Sequence, residues 1–297
     1  MDLFQAPDYF KLDELLSEEH KLVRNATREW VKKEVSPIIE DACQKAEFPK
    51  HLIKGLAEVG AFGPYIPLNY GGAELDQISY GLIMQELERG DSGIRSTASV
   101  QSSLVMYPIW KYGSEQQKKK YLPKLATGEF IGCFGLTEPD FGSNPGGMVT
   151  NIKDEGDFFL LNGAKMWISN SPFADIAIVW AKNEEGRIKG LIVERGMEGF
   201  STPETHGKWS LRASSTGELV FDNVNDKLYI SKIISPNHFP VLFVSKILLR
   251  NDHIQRKKCS CTCIRIKCLY KGRYSYYATV CVQVRRTFVD AQLRTNF

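Results

Sequence analysis

The spacing of apolar residues changes near residue 131, and that change of period fixes what the first 225 residues can fold into. Before it, apolar positions recur at helical intervals. Ser17 followed by Glu18 and Glu19 reads as a helix start, a hydroxyl cap with acids near the positive end of the dipole. Val23, Ala26 and Trp30 continue that stripe, and Ser36-Pro37 ends the helix or opens the next. Leu52, Ile53, Leu56, Ala57 and Val59 form a second stripe closed by Gly60, and Gly63 to Pro67 with Gly71-Gly72 is a loop. Asp76 caps a helix whose inner side carries Ile78, Leu82, Ile83 and Leu87, and Ser114 to Gln117 has the form of a capping box. After residue 131, short apolar runs alternate with turn residues. Phe158 to Leu161 precedes Asn162-Gly163, a tight-turn signal. Ile176 to Trp180 looks buried on both faces, Asn183 to Gly186 is a turn, and Ile188 to Glu194 and Gly217 to Val224 are further strands. Helices followed by strands, with no βαβ alternation, give an α+β chain. The expectation is an N-terminal α-helical domain over residues 1–130 and a small antiparallel β-barrel or sandwich over 131–225.

A second break lies after Asn225. Residues 1–225 hold 24 Lys and Arg against 32 Asp and Glu, a net of −8, whereas residues 226–297 hold 14 against 3, a net of +11. The second part also carries five of the seven cysteines, one of the 24 glycines and no tryptophan. Two compositions this different do not belong to one globular design. Three readings of the 226–297 tail stand: a non-native or disordered end from a shifted frame or read-through, favoured by the abrupt break; a metal site at Cys259, Cys261, Cys263 and Cys268; and a basic arm for nucleic acid, in which Arg256, Lys257, Lys258, Arg265, Lys267, Lys271 and Arg273 alternate with Tyr270, Tyr274, Tyr276 and Tyr277. The cysteines lack CxxC pairs or histidine partners, and no nucleic-acid motif frames the basic run. No run of 18 apolar residues occurs, so no membrane span is expected. The opening residues have neither the basic start and apolar core of a secretory signal nor the acid-poor character of a presequence. A bacterial-type cytoplasm is the expectation, or the mitochondrial matrix if the source is eukaryotic.

Chemistry concentrates in three places. Cys133 to Gly147 packs four glycines, two prolines, two hydroxyls and two acids into fifteen residues, so backbone N–H groups can approach a ligand closely; the bland reading is a surface loop. Lys165-Met-Trp-Ile-Ser169 puts a tryptophan beside a hydroxyl, which suits a flat aromatic cofactor or a core strand equally. Arg95, within Ser92-Gly-Ile-Arg-Ser96 between two helical stretches, suits a carboxylate ligand or a solvated surface. Walker, GxGxxG, HExxH and GxSxG patterns do not occur.

At these stretches the sequence resembles the acyl-CoA dehydrogenases, and among them the glutaryl-CoA branch. Gly135-Leu-Thr-Glu-Pro-Asp-Phe-Gly-Ser143 looks like the family signature; Glu86 to Ser96, Val100 to Met106, Leu161 to Ser169 and Gly207 to Ser214 are similar to the branch. The resemblance implies an N-terminal helical domain, a middle β-domain and a C-terminal four-helix domain, with FAD as cofactor. By that resemblance Phe134, Gly135, Leu136, Thr137, Glu138, Pro139, Gly142 and Ser143 line the flavin, Thr137 bonding its ring system and Ser143 also meeting the thioester ligand. Trp167, Ile168 and Ser169 cover the flavin, and Arg95 with Ser96 meets the far carboxylate of the substrate. Asn144 stands where many members have aspartate. The implied substrate is acyl-CoA, specifically glutaryl-CoA, oxidised and decarboxylated to crotonyl-CoA, with electron-transfer flavoprotein as acceptor and a homotetramer as the usual assembly. Past Val224 the resemblance stops, and no Tyr-Glu-Gly-Thr segment, which carries the family's general-base glutamate, is found. An inactive truncated chain is therefore expected, against the alternative of a non-catalytic interaction protein with a nucleic-acid-binding tail.

Overall fold

In the computed structural model, residues 8–226 are described, with the backbone of two further segments, 264–267 and 277–280. The chain divides into two units, Met1–Leu248 and Leu249–Phe297.

Seven α-helices precede the first strand among the described residues: α1 (Glu18–Trp30), α2 (Ile39–Lys45), α3 (Leu52–Glu58), α4 (Gln77–Gly90), α5 (Ser92–Ser99), α6 (Tyr107–Tyr112) and α7 (Glu115–Ala126). Their starts follow from local chemistry. The Ser17 hydroxyl accepts the His20 N–H at 3.2 Å and His20 Nδ1 accepts the Ser17 N–H at 3.2 Å, so an imidazole completes the capping box in place of the usual Glu. Asp76 takes the Ser79 N–H at 2.8 Å, and Ser114 and Gln117 cap each other's backbone N–H. The buried stripe of α4 is Ser79, Ile83, Glu86 and Leu87, while Ile78 is 46% exposed. Apolar residues alone therefore misplace the first turn of that stripe, because two of its members are polar. Glu86 is fully buried and is held by a fork from Arg28, Nε at 2.9 Å and Nη2 at 2.8 Å, which joins α1 to α4.

Arg95 and Ser96 lie inside α5 rather than between helices. The Asp91 carboxylate accepts from Gly93 N at 2.6 Å and Ile94 N at 3.3 Å, so the chain turns helical again at once after α4. A largely buried π-helical segment, Val100–Met106, connects α5 to α6. Within it, Gln101 donates to Leu125 O (2.9 Å) and Phe130 O (2.8 Å) and accepts from Gly132 N (2.8 Å), which places the first strand.

The strands are β1 (Gly132–Gly135), β2 (Asn151–Asp154), β3 (Phe159–Ser169), β4 (Ile176–Lys182), β5 (Ile188–Glu194), β6 (Phe200–Ser201) and β7 (Thr216–Asp226), forming one mixed seven-stranded sheet. The pairs β2–β3, β3–β7, β4–β5 and β6–β7 are antiparallel. β4 runs parallel to β1 from Gly132↔Ile176 to Gly135↔Val179, and parallel to β2 at Asn151↔Lys182. The long path between β1 and β4 permits that parallel pairing, which a hairpin cannot make. Asn162-Gly163 is not a turn but the interior of β3. The extra residue opposite it is on β7, where Asn223 at φ 52 gives its N–H to Asn162 Oδ1 at 2.8 Å. An added Cβ at Gly163 would lie 2.6 Å from Thr150 Oγ1, so close packing explains the glycine. The reversal falls instead between Glu155 and Phe158.

β4 is buried on both faces, as its sequence predicts. Ile176, Ile178 and Trp180 join the helical core with Leu87, Ile94 and Met106. Ala177, Val179 and Ala181 join a second core with Leu161, Leu219 and Phe221. In the second unit, β8 (Ile264–Lys267) pairs antiparallel with β9 (Tyr277–Val280). The cysteine run from Cys259 to Cys268 and the basic arm lie outside the described residues except for those two strands' backbone. Among the described residues no cluster of metal-ligating side chains occurs, and no helix is long and apolar enough to cross a membrane.

Candidate functional site

Two segments, 136–150 and 166–169, meet where the second half of β3 runs past the end of its pairing with β2. β1 ends at Gly135, where an added Cβ would lie 2.7 Å from Leu219 and 3.1 Å from Lys165, so the strand presses against β3 and β7. The chain then crosses β3, and Met166 N donates to Thr137 O at 2.9 Å. That bond sets the Gly/Pro-rich segment 136–150 directly beside Met166-Trp167-Ile168-Ser169.

At this place β3 bulges. Three steps on β3, Lys165 to Ile168, oppose two on β7, Leu219 to Gly217. The extra residue throws Trp167 outward, at φ 61 and 57% exposed. A bulky residue held in the left-handed region is strained, and such strain gathers at ligand sites. Ile168 turns inward and is buried, and Ser169 is half-buried. Asn170 follows at φ 70, its side chain accepting from Thr97 Oγ1 (3.1 Å) and donating to Gly132 O (3.2 Å), which ties this end of β3 to α5.

Trp167 and Ser169 open onto a hollow of about 490 Å³, walled opposite by Thr205 to Leu211, Ser214 and Thr216. Lys208 shapes that wall: its ammonium donates to Leu211 O (2.9 Å), Ser214 O and Thr216 Oγ1 (2.9 Å). Burial holds Lys208 below the usual lysine range. Arg212 anchors the same wall to α2 through Cys43 O at 2.8 Å and Gln44 O at 2.9 Å. Trp209 is 97% exposed at the rim.

The sequence-predicted residues divide by side-chain direction. Phe134 and Leu136 are half-buried and pack on the helical core, Phe134 meeting Trp180 edge-on at 6.2 Å. Glu138 is turned inward and 2% exposed. Its carboxylate accepts from Lys165 Nζ (2.8 Å), Val149 N (2.7 Å) and Thr150 N (3.0 Å). Burial opposes ionisation of Glu138, but Lys165 and the two N–H groups outweigh it and keep the carboxyl below its ordinary range. Burial likewise pulls the Lys165 ammonium down, against the pull of Glu138. Pro139, Gly142, Ser143 and Asn144 are exposed, and an added Cβ at Gly142 meets nothing within 4 Å. The hydroxyls of Thr137 and Ser169 have no hydrogen-bond partner among the described residues and remain available as donors. Arg95 is bonded by Glu88 at 2.6 Å through Nε and by Ser99 at 3.3 Å through Nη1; Ser96 neighbours it on α5, half-buried.

Lys165, Asn170, Lys208 and Thr216 are site-building residues that sequence reasoning did not single out. Lys165 and Lys208 sit inside segments read as motifs, but their partners are set by tertiary contacts that spacing does not carry.

Known proteins match these two layers. Residues 17–129 match the acyl-CoA dehydrogenase N-terminal domain, and residues 133–224 match the acyl-CoA dehydrogenase middle domain. The 3-(aryl)acrylate reductase of Clostridium sporogenes is 35% identical over 222 residues, 73% of this chain and 58% of the relative. The glutaryl-CoA dehydrogenase of Desulfococcus multivorans is 37% identical over 221 residues, 72% of this chain and 57% of the relative. The solved structure of a glutaryl-CoA dehydrogenase from Mycobacterium smegmatis, in complex with FADH2, aligns with a TM-score of 0.77 at 42% identity, covering 80% of this chain and 61% of that one. The chain thus spans somewhat over half the length of the curated relatives it matches.

Proposed function

The chain belongs to the acyl-CoA dehydrogenase family, and on that premise we propose that residues 1–130 and 131–225 are the FAD- and thioester-holding part of a glutaryl-CoA dehydrogenase. The observation that carries this reading is the joint between Thr137 and Met166, which sets Trp167 and Ser169 at the end of β3 beside the signature segment.

The residues present fit a flavin. Trp167 offers an exposed flat face, and the free hydroxyls of Thr137 and Ser169 supply donors for a polar ring edge. A hollow of about 490 Å³ is of a size suited to a cofactor fragment. FAD, when bound, supplies the acceptor for hydride leaving the β-carbon of an acyl thioester. The chain's own residues bind and orient. Trp167 covers one face, Thr137 and Ser169 fix the ring edge, and Ser143 at the exposed turn approaches the thioester. Arg95 orients the far carboxylate. Glu88 and Ser99 hold its Nε and Nη1, and its Nη2 has no partner among the described residues, so one donor edge is available. Removal of the α-proton is assigned to no residue, since no segment of the general-base type is found in the sequence. On this reading the chain by itself holds FAD weakly and does not turn over, and in the complete reaction electrons pass to electron-transfer flavoprotein.

The test is turnover. With FAD, glutaryl-CoA and a redox dye, the chain alone is expected to reduce no dye. Adding the C-terminal four-helix domain that the family resemblance implies, separately expressed, is expected to restore reduction, with glutaryl-CoA preferred over butyryl-CoA. Arg95→Met should remove that preference. Robust turnover by the chain alone refutes the inactivity, and a restored enzyme indifferent to Arg95→Met refutes the glutaryl assignment.

A further inference from the structure

Lys165 and Glu138 form an ion pair buried on both sides, their side chains 0% and 1% exposed, and the proposed reaction uses neither group. Such a pair is a weak source of stability, because desolvation offsets the attraction and apolar residues of similar volume often serve as well. The bonds around this pair give it another role. Lys165 Nζ reaches Leu136 O at 3.3 Å, Glu138 Oε1 at 2.8 Å and Met148 Sδ at 4.0 Å. The carboxylate collects Val149 N at 2.7 Å and Thr150 N at 3.0 Å. One buried knot therefore holds both the beginning and the end of segment 136–150, and holds them to the residue two positions before Trp167. Between those ends the backbone bonds are local: Glu138 with Phe141, Asn144 with Gly147, and Pro145 with Met148. Each end has one further backbone tie, Thr137 O to Met166 N at 2.9 Å and Thr150 O to Lys182 N at 2.9 Å, so the buried pair acts together with those two bonds, and residues 139–147 between them have no hydrogen bond to the sheet among the described residues.

We infer that Glu138 and Lys165 are positioning residues that clamp both ends of segment 136–150 onto β3 and so set the spacing between Thr137 on one lip of the site and Trp167 to Ser169 on the other. What that spacing serves rests on the flavin reading; the clamp itself does not. An acceptor-rich carboxylate is needed because it must take two backbone N–H groups and an ammonium at once, which neither glutamine nor an apolar residue does. Supporting contacts of this kind decide whether a site is held closely enough to bind.

The experiment uses the whole chain and the double variant Glu138→Gln with Lys165→Met, which removes both charges at similar volume. Amide exchange by NMR and titration with FAD, read by tryptophan fluorescence, are measured on both proteins. The expected result is a melting temperature within a few degrees of the unaltered chain. Exchange at Val149 and Thr150 should be at least tenfold faster with β4 and β5 unchanged, and the FAD dissociation constant about tenfold larger, roughly 1.4 kcal/mol. Unchanged exchange at Val149 and Thr150 overturns the clamp. Faster exchange with an unchanged FAD constant overturns its positioning role. If the unaltered chain takes up no FAD while exchange still responds, the flavin reading falls and the clamp stands. Should the double variant not fold, Lys165→Arg keeps the charge but displaces it; the same two measurements then apply, with the same results expected and the same results overturning the clamp.

Discussion

Replacing Asn170 by alanine tests how the helical layer and the end of β3 are joined. Asn170 directly follows Ser169, is fully buried and sits at φ 70. Its side chain makes two buried bonds, to Gly132 O at 3.2 Å and from Thr97 at 3.1 Å. Each such bond contributes about 0.5–1.5 kcal/mol net. Alanine also incurs a left-handed backbone cost of about 1–2 kcal/mol that asparagine largely escapes. The sum is a loss of about 2–5 kcal/mol, or roughly 4–20 °C in melting temperature for a domain of this size. Glycine at the same position loses the bonds but not the conformation, so Asn170→Gly should fall by only about 1–3 kcal/mol. Urea unfolding followed by tryptophan fluorescence gives both values by linear extrapolation. An alanine variant as stable as the glycine variant refutes the backbone argument. Two variants within about 0.5 kcal/mol of the unaltered chain refute the bond argument as well.

Arg28→Met removes the two-bond fork from the buried Glu86 carboxylate and leaves it only Arg89 at 3.5 Å, so it should cost about 1–3 kcal/mol, measured by the same urea unfolding. Trp167→Gly should leave stability within about 1 kcal/mol, because the side chain is exposed and its backbone strained, whereas truncating a core tryptophan costs about 3–5 kcal/mol. Glu138 has a folded-state acidity held below the ordinary carboxylate range, so its contribution is fully present above the unfolded value of about 4.3 and is lost as pH falls through the lower folded value. Unfolding measured from pH 7 to pH 3 should therefore show a steeper acid loss in the unaltered chain than in Glu138→Gln; parallel curves would contradict this.

Local signals were legible where the chemistry is local. Ser17, Asp76 and Ser114 announce helix starts because a cap needs only its own next three residues. The two-sided burial of β4 follows from its unbroken apolar run, and the change of period near residue 131 separates helices from strands. Misreadings arose where a distant neighbour decides. Asn162-Gly163 reads as a turn, yet β7 and Thr150 hold it straight. Ile78 reads as core, yet the buried stripe of α4 runs through Ser79 and Glu86, and Glu86 is recognisable only with Arg28 in place. The candidate site shows the same division between residue type and tertiary placement. Trp167 and Ser169 stand out in the sequence by residue type alone; the outward turn of Trp167 comes from a register shift against β7, and the Glu138–Lys165 pair spans 27 positions with no periodic signature.

The proposal that Thr137 and Trp167 to Ser169 face one flavin together carries the rest of the functional reading. Titrating FAD into the unaltered chain and into Trp167→Phe, with tryptophan emission as the readout, tests it most directly. Saturable one-site quenching is predicted in the unaltered chain, with a clearly smaller amplitude in Trp167→Phe, the remainder coming from Trp209 at the rim. A linear response in both proteins, or equal saturable quenching in both, would contradict it.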